Sequence, residues 1–374
     1  MEKKNILFIS SWYPNKLEPT NGNFVQRHAE AVSLIHSVEV LHSIGDPFQT
    51  EKFLFDDQQK NGIRTLIVYY KNSSNPVQNF IRRMKAYSMG FKKMQKPHLV
   101  HANVLHNNIL FAVYLKRKLG IPFVVTEHWT ALREINAAST SAKIKKIAKF
   151  IGNEASAILP VSADLMKGLK YLGIKTPMKV IPNVVNTNLF EPKSFPNERF
   201  TFIHVSNLIA RKNPEKIVKT ALKLFGKGYD FNLKIGGDGD ISELEALRGN
   251  SIYKERIEIF GTQTLDEIAK KMKTSDCFIL LSNDENQPCV IAESFASGIN
   301  VISTNVGGIA EFFPDKAGFL LEKPDEKLLE EAMLKIMSDH FPKDSSTLVK
   351  YAQDTFSVDA IGKQFSAVYK DILE

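Results

Sequence analysis

A short apolar run that leads through a polar loop into a helix constrains the fold most. Residues 277–281 are all apolar, as expected of a parallel strand covered on both faces. Residues 282–287 are polar, and Pro288 suits the first turn of a helix, where an N–H group is unpaired anyway. Residues 290–297 continue with helical spacing until Gly298. The stretch therefore predicts one strand–loop–helix unit of a parallel α/β sheet.

Two acids flank the start of this predicted helix, Glu285 in the loop and Glu293 about one turn into the helix. The first N–H groups of a helix are unpaired and its dipole is positive there, so the position attracts anions. Carboxylates instead accept hydrogen bonds from hydroxyl groups. Together these groups match a ligand with a sugar, a diphosphate and a ribose. The alternative is an ordinary helix terminus whose dipole the acids stabilise.

The strand–loop–helix pattern occurs in both halves of the chain. Residues 189–199 contain two prolines and several charges, which is typical of a linker between domains, and the pattern restarts after them. A length of 374 residues also suits two domains. We therefore predict two tandem, doubly wound, Rossmann-like α/β domains, residues 1–188 and 189–357, with a cleft between them. The amphipathic helix 358–374 is expected to pack back on the first domain.

Three further candidates follow predicted strands, where ligands of open α/β sheets bind. Gly22 lies in the loop after the first strand and allows close approach of a ligand or a facing backbone, or simply forms a turn. His128 follows a buried strand, and histidine titrates near neutrality; a structural role is equally open. Gly237 and Gly239 resemble part of a dinucleotide fingerprint, but Ser242 occupies the third glycine position, so an NAD site is not indicated.

The net charge of +8 comes from one segment. Residues 71–150 contain 15 Lys and Arg but only two acids, Glu127 and Glu134. Within this segment, residues 71–96 have the spacing of a basic amphipathic helix, which either binds an anionic membrane surface or packs on its own sheet with a solvated basic face. The segment contains no identifiable motif for reading nucleic acid. We therefore expect an anionic membrane surface as a partner, and no nucleic acid.

Cysteine content and hydropathy indicate the compartment. The two cysteines, Cys277 and Cys289, do not form a disulfide framework and fit a reducing cytoplasm. No apolar run approaches the length of a membrane span, and the first residues do not form a signal peptide. We expect a cytoplasmic protein that associates peripherally with the inner face of the cell membrane.

Taken together, the chain resembles the retaining glycosyltransferases of the GT4 family, which have the two-domain GT-B fold. The motifs that carry the resemblance cover most of the chain: the Gly22 loop, Thr126-Glu127-His128, Leu159-Pro160-Val161-Ser162, Ile181-Pro182-Asn183, the Lys212 loop, the Gly237–Gly239 turn, Gly261, Glu285 to Glu293, and Gly307-Gly308-Ile309-Ala310-Glu311. The two acids in register with the downstream diglycine are the specific part of this set.

The resemblance implies roles for individual residues. Glu293 would hold the donor ribose, Glu285 would contact hydroxyls of the transferred sugar, and Lys212 would neutralise the diphosphate. His128 resembles the family's histidine near the transferred sugar, and Gly22 would let the first domain's loop close on the ligands. The implied catalytic residues are Glu285, His128, Lys212 and Arg211, and the implied donor-binding residues are Glu293, Gly22, Asn207, Gly237, Thr262, Asn286, Gln287, Pro288, Cys289 and Val290. No metal is implied, because cationic side chains and helix N-termini replace it.

Two departures from the family pattern matter. The family commonly has an arginine a few residues before the lysine, where this chain has Asn207; Arg211 is the candidate substitute. The usual Phe-Gly after the first acid is replaced by Asn286, Gln287 and Pro288, so the family's sugar specificity does not carry over.

We interpret the chain as a hexosyltransferase that moves a sugar from a nucleotide-diphosphate donor to an acceptor hydroxyl with retention at the anomeric carbon. The basic segment favours a lipid-linked saccharide acceptor in surface polysaccharide biosynthesis. Two alternatives stay open: another enzyme of this fold, such as a nucleotide-sugar epimerase or a transferase with a soluble acceptor, and a non-enzymatic binder of polyanions. The base, the sugar and the linkage do not follow from the sequence.

Overall fold

The computed structural model of the protein describes residues 2–338 and 345–374. The chain divides into two compact units, residues 1–184 with 358–374, and residues 185–357. Each unit contains a largely parallel sheet with helices on both faces, so the prediction of two Rossmann-like α/β domains is confirmed.

The first unit contains a seven-stranded sheet in the order β3-β4-β2-β1-β5-β6-β7. Its strands are β1 (Asn5–Ser10), β2 (Ser37–Asp46), β3 (Phe53–Lys60), β4 (Ile63–Lys71), β5 (Leu99–Asn103), β6 (Phe123–Glu127) and β7 (Ala157–Pro160). All neighbours are parallel except β3, which pairs antiparallel with β4. This edge strand has no counterpart among the predicted strands, because its second half is polar and shows no continuous apolar run.

Five helices of the first unit precede the linker: α1 (Asn23–Ser33), α2 (Pro76–Phe91), α3 (Leu110–Leu119), α4 (Ala142–Glu154) and α5 (Ala163–Tyr171). One face of the sheet packs against α2 to α5, with Tyr87, Phe111 and Ile151 in that core. The opposite face packs against α1 through Val25 and Val32. Apart from the edge strand β3, the strands are largely buried on both faces, as their continuous apolar runs predict.

The second unit contains a six-stranded sheet in the order β10-β9-β8-β11-β12-β13, with all strands parallel. Its strands are β8 (Phe200–Asn207), β9 (Phe231–Asp238), β10 (Ile257–Phe260), β11 (Cys277–Leu280), β12 (Asn300–Thr304) and β13 (Gly318–Leu321). Its helices are α6 (Pro214–Gly226), α7 (Ser242–Gly249), α8 (Leu265–Lys273), α9 (Cys289–Ala296), α10 (Glu326–Met337) and α11 (Ser345–Phe356).

The last helix, α12 (Val358–Leu373), packs on the first unit. It crosses α1 closely at Gly362, where a Cβ atom would lie 2.4 Å from the carbonyl oxygen of Ala31. Ser366 Oγ lies 2.9 Å from the His36 ring, and Tyr369 OH lies 2.5 Å from His101 Nδ1. The helix therefore covers, together with α1, the same face of the first sheet.

Each sheet has one point at which the order of strands reverses. In the first unit β1 lies between β2 and β5, and in the second unit β8 lies between β9 and β11. Beyond the carboxyl ends of such strands the loops diverge and leave a crevice, which is where open α/β sheets bind ligands. Ligand sites are therefore expected at the loops after β1, β8 and β11. In the described residues, no helix combines the length and the apolar character needed to cross a membrane.

Candidate active site

The reversal point of the second sheet carries a buried ion pair. Lys212 follows β8 in a short 3₁₀ turn, and Glu285 lies in the loop between β11 and α9. Lys212 Nζ donates a hydrogen bond to Glu285 Oε1, and the two residues are 8% and 6% exposed. Two residues predicted to share a site are thus in direct contact, although 73 positions separate them in sequence.

Asn213 joins the two loops that carry this pair. Its backbone is left-handed, with φ of 50°, a conformation that asparagine tolerates better than most residues. The side-chain amide donates to the Leu281 carbonyl at 2.7 Å and to Asn283 Oδ1 at 3.2 Å, and Asn283 N–H donates to the Arg211 carbonyl at 2.9 Å. Sequence reasoning missed this role, but the Asn213-Pro214 dipeptide, with proline opening α6, was its signal.

Arg211 contributes a second positive charge beside Lys212. The guanidinium Nε is buried and makes no hydrogen bond to any residue of the described ranges, and none of the carboxylates described there pairs with the side chain. Buried donors are nearly always satisfied by protein, water or ligand. The arrangement therefore leaves a cationic group able to engage an anion at this position.

The start of α9 brings the second acid into the same region. The helix begins at Cys289, and Pro288 occupies the N-cap position rather than the first helical position that the sequence suggested. Glu293 lies in this helix and is only 3% exposed, and Cys289 and Val290 are half-buried. Gly308 N–H donates to the Asn286 carbonyl at 3.0 Å, which ties the diglycine turn after β12 to the loop before α9. The loop residues Asn286 and Gln287 are buried.

Other residues predicted to bind the donor lie at neighbouring strand ends. Asn207 and Thr262 are exposed, at the end of β8 and just after β10, and Thr262 Oγ1 lies 3.4 Å from Asp238 Oδ1. Gly237 has φ of 137°, and a Cβ atom there would lie 1.9 Å from the Ser206 carbonyl oxygen. Close packing of β9 on β8 thus requires this glycine, whatever its part in ligand binding.

Gly22 and His128 belong to the first unit. Gly22 caps α1 with φ of 79°, and a Cβ atom there would lie 2.5 Å from the Trp12 carbonyl carbon. The loop after β1 therefore folds tightly on itself, with a facing backbone where the sequence allowed either a backbone or a ligand. This contact fixes the entry of α1, which starts at the reversal point of the first sheet.

The imidazole of His128 lies just beyond β6 among other rings. Its ring nitrogens are buried, and its ring centroid is 4.2 Å from that of Phe24 and 5.3 Å from that of His28. Burial lowers the pKa of His128 well below its usual value, and the nearby His28 and His101 lower it further. The expectation that His128 titrates near neutrality is therefore wrong; the buried ring stays neutral at physiological pH.

Glu127 holds the loop that carries His128. Its carboxylate accepts hydrogen bonds from the N–H groups of Leu105 at 2.6 Å, His128 at 2.8 Å and Trp129 at 2.7 Å. Complete burial nevertheless raises the pKa of Glu127 to about 7, and these hydrogen bonds offset only part of the cost of desolvation. The residue links the ends of β5 and β6 and orients the His128 backbone.

In residues 2–338 and 345–374, no three His, Cys, Asp or Glu side chains lie close enough together to hold a metal ion. The expectation of a metal-independent site stays a prediction.

Known glycosyltransferases match this chain in sequence and in fold. The model of the family described as Glycosyl transferases group 1 matches residues 185–355, and that of Glycosyltransferase Family 4 matches residues 27–189. An uncharacterized glycosyltransferase of Methanocaldococcus jannaschii, MJ1178, is 24% identical over 76% of this chain and 79% of its own length. The UDP-Gal:alpha-D-GlcNAc-diphosphoundecaprenol alpha-1,3-galactosyltransferase of Escherichia coli is 26% identical over 70% of this chain and 72% of its own length. The crystal structure of Anabaena HepE in complex with UDP superposes with a TM-score of 0.76, at 17% identity, over 98% of this chain and all of that one.

Proposed function

Because the chain belongs to the GT4 family of glycosyltransferases and has the GT-B fold, we propose that it transfers a sugar from a nucleotide-diphosphate donor to a hydroxyl of a lipid-linked saccharide, with retention at the anomeric carbon. The observation that carries the proposal is the contact between Lys212 and Glu285 at the reversal point of the second sheet, beside the start of α9.

The donor's diphosphate is assigned to Lys212, Arg211 and the first N–H groups of α9. The two side chains supply positive charge, and the helix terminus adds N–H donors and the positive end of its dipole. As the bond from sugar to phosphate breaks, negative charge develops on the leaving phosphate. Preorganised cations at that position stabilise the charge more in the transition state than in the bound donor, which lowers the barrier.

The two acids are assigned to the hydroxyl groups of the donor. Glu293, buried in α9, would accept hydrogen bonds from the ribose, and Glu285 from the transferred sugar. The exposed Asn207 and Thr262 and the turn at Gly237 would complete the nucleotide site. The hydrogen bond from Lys212 fixes the direction of the Glu285 carboxylate, so it can orient a sugar without turning toward the phosphates.

His128 is assigned to a hydroxyl of the transferred sugar, as a neutral hydrogen-bonding group. Because the pKa of His128 lies well below its ordinary value, the ring is not in the imidazolium form near neutral pH. It therefore cannot protonate the leaving group as a general acid. Transfer should therefore not depend on a protonated His128. Stabilisation of the leaving phosphate then rests on the cations of the second unit.

The acceptor assignment rests on the basic surface of the first unit. Helix α2 exposes Val77 and Ile81, 66% and 59% accessible, together with Lys85, while Lys92 follows its last turn. Apolar side chains next to lysines suit a helix that lies on an anionic lipid surface. The Escherichia coli relative is named for a diphosphoundecaprenol-linked sugar, which is consistent with a lipid-linked acceptor.

A product analysis with and without acceptor tests the proposed function. The protein is incubated with nucleotide sugars alone and then with lipid-linked saccharide, and products are identified by NMR. We expect a new glycosidic bond of the donor's anomeric configuration, formed only when acceptor is present. Isomerised donor in the absence of acceptor would identify an epimerase, and an inverted anomeric configuration would overturn retention.

Membrane association gives a separate prediction. Replacing Lys85 and Lys92 by glutamine should weaken binding to anionic vesicles by about 30-fold, since each lysine at the surface contributes about 1 kcal/mol. The matched control changes Lys219 and Lys335 of the second unit, which are exposed and alter net charge equally. Sedimentation with neutral and anionic vesicles measures the effect. Equal binding to both kinds of vesicle would remove the basis for a membrane-bound acceptor.

A further inference from the structure

A pocket of about 430 Å³ in the first unit lies outside the site described above. It opens at the carboxyl ends of β2 and β4, where α2 passes over the sheet. Its polar and aromatic lining consists of Glu18, Phe48, Tyr70, Asn72, Asn79 and Arg83. We call it the Arg83 pocket. Its volume is within the range of sites for small ligands.

Arg83 is held in place by neutral groups. Its Nε donates to Tyr70 OH at 3.2 Å, and its Nη1 donates to Asn107 Oδ1 at 3.2 Å and Asn108 Oδ1 at 2.7 Å. An arginine has five N–H donors, so the two on Nη2 are left over. Among the described residues Nη2 has no hydrogen-bond partner and no carboxylate pairs with the guanidinium. The charge is therefore oriented but not neutralised.

The acids near Arg83 are already engaged. Asp46 forms an ion pair with Lys16 at 2.9 Å, and the Glu18 carboxylate accepts from Asn21 Nδ2 at 2.7 Å. Glu18 lies on the side of the pocket formed by the Gly22 loop and the end of β2, and Asp46 is the last residue of β2. The side formed by α2 presents Arg83 alone as a charged group in the lining. A ligand with one negative group would therefore place it against α2.

The rest of the lining suits a sugar ring. Phe48 is 86% exposed at the rim, where its flat apolar face can cover the C–H groups of a pyranose. The exposed Asn72 offers a donor amide to hydroxyl groups, and the exposed Glu18 offers the carboxylate oxygen that does not bind Asn21. The Asn79 amide is occupied by Ser73, with bonds of 2.6 and 2.8 Å, and fixes the shape of the wall.

The position of the pocket relates it to the acceptor. His128 follows β6, and from β6 the strand order runs through β5 and β1 to β2 and β4. With strands spaced about 4.8 Å apart, three to four steps place the pocket roughly 14–19 Å from His128 along the same edge of the sheet. This distance exceeds one sugar ring. The pocket thus suits a part of the acceptor beyond the unit that receives the new sugar.

We propose that the Arg83 pocket binds a negatively charged group, carboxylate or phosphate, on a sugar unit of the acceptor that is distant from the reacting hydroxyl. The proposal rests on the transferase function proposed above and narrows its acceptor to an anionic saccharide. Arg83 binds the anionic group through Nη2, and Phe48 stacks on the ring that bears it or on its neighbour.

Ligand-observed NMR titrations test the proposal without any transfer reaction. The probes are methyl glucuronide with a carboxylate, glucose 1-phosphate with a phosphate, and the neutral methyl glucoside. We expect at least one anionic probe to bind about tenfold more tightly than the neutral one. A hydrogen bond between charged groups typically increases binding affinity by about this factor or more. Arg83→Gln should abolish the preference, and Arg83→Lys should keep part of it because the charge remains.

Two matched controls separate this site from general effects. Lys85→Gln removes an exposed charge of the same helix and should leave the preference unchanged. Phe48→Ala should weaken all three probes alike, whereas Ile135→Ala, which removes another exposed apolar side chain of the first unit, should not. Because Arg83→Gln leaves the buried Asn108 without its donor, thermal unfolding of each variant is measured alongside. The Phe48 variant tests the pocket even if the Arg83 variant fails to fold.

The titrations distinguish two kinds of anionic acceptor from failure of the proposal. Preference for the carboxylate probe identifies an acidic sugar in the acceptor, and preference for the phosphate probe identifies a phosphorylated or diphosphate-linked one. Equal binding of charged and neutral probes, or a preference that survives Arg83→Gln, overturns the proposal. A preference for anionic probes that depends on Arg83, in a protein that binds no nucleotide, would overturn the transferase proposal alone. Failure of the pocket proposal and failure of the transferase proposal are therefore distinguishable.

Discussion

Replacing Lys212 by methionine is expected to lower the rate of sugar transfer by about 10²–10³-fold, with a smaller effect on donor affinity. Methionine keeps much of the length and apolar stem of lysine but removes the positive charge. Because charge on the diphosphate increases as the sugar leaves, the lost interaction is stronger in the transition state than in the bound donor. Steady-state kinetics with varied donor concentration measures both effects.

The control for this variant addresses the buried partner. Lys212→Met leaves Glu285 buried without its cation, and breaking a buried ion pair typically costs about 3–5 kcal/mol of stability. The double variant Lys212→Met with Glu285→Gln removes that unpaired charge and should recover most of the thermal stability without recovering activity. If the double variant transfers sugar at close to the wild-type rate, Lys212 does not stabilise the leaving group.

The first unit is expected to unfold on acidification near pH 5, before the second unit does. Four of its histidines are fully buried and neutral: His28, His42, His101 and His128. Burial lowers the pKa of His28 to about 3 and that of His42 to about 4, and it lowers the pKa of His101 and His128 well below the ordinary value. The described part of the second unit contains one such histidine, His204, whose pKa is lowered to about 4.

The direction follows from proton uptake. Below about pH 6.5 the unfolded chain protonates these four histidines and the folded unit does not, so the folded state loses stability as the pH falls. Glu127 acts in the opposite direction and offsets the proton uptake of one histidine. Its pKa is raised to about 7 in the folded unit, which therefore holds a proton that the unfolded chain has released. A net difference of three protons lowers the free energy of unfolding by about 4 kcal/mol per pH unit, against a typical domain stability of 5–15 kcal/mol.

Tryptophan fluorescence measures this transition selectively, because both tryptophans, Trp12 and Trp129, lie in the first unit. His28→Leu provides the matched test. Neither ring nitrogen of His28 has a hydrogen-bond partner in the described part of the chain, so the replacement loses no hydrogen bond. It also lowers by one the number of protons that the chain takes up on unfolding. The variant should gain about 2 kcal/mol at pH 5 relative to wild type and unfold at a lower pH. An unchanged midpoint would show that His28 protonates freely in the folded protein.

The sequence predicted the sheets well because their strands are continuous apolar runs and the loops after them are polar. The same logic placed Glu285 in the loop after a strand and Glu293 in the helix that follows, where the structure has them, and the resemblance added Lys212. Order along the chain does not determine order in the sheet, however. That β8 and β11 are neighbours, which brings Lys212 onto Glu285, emerges only from the folded topology.

Features that depend on burial and tertiary contacts were beyond the sequence. His128 was expected to titrate near neutrality, but its surroundings include His28 from α1 and Phe24, and such long-range neighbours leave no local pattern. The role of Asn213 depends on a left-handed backbone and on carbonyl groups of a loop 68 residues away. The edge strand β3 ends in a run of polar, mostly exposed residues, which gives no apolar strand pattern.

The central claim is that the loop before α9 and the start of that helix hold a nucleoside diphosphate. Thermal unfolding of the protein in the presence of UDP, GDP or ADP tests it most directly, since a ligand bound by the folded state raises the unfolding temperature. The account predicts that one of the three nucleotides raises the unfolding temperature. Glu293→Gln should weaken the apparent affinity for that nucleotide about tenfold. Glu331→Gln, which changes an exposed acid of α10, should leave the affinity unchanged. No rise with any of them, or an equal rise in wild type and Glu293→Gln, would contradict it.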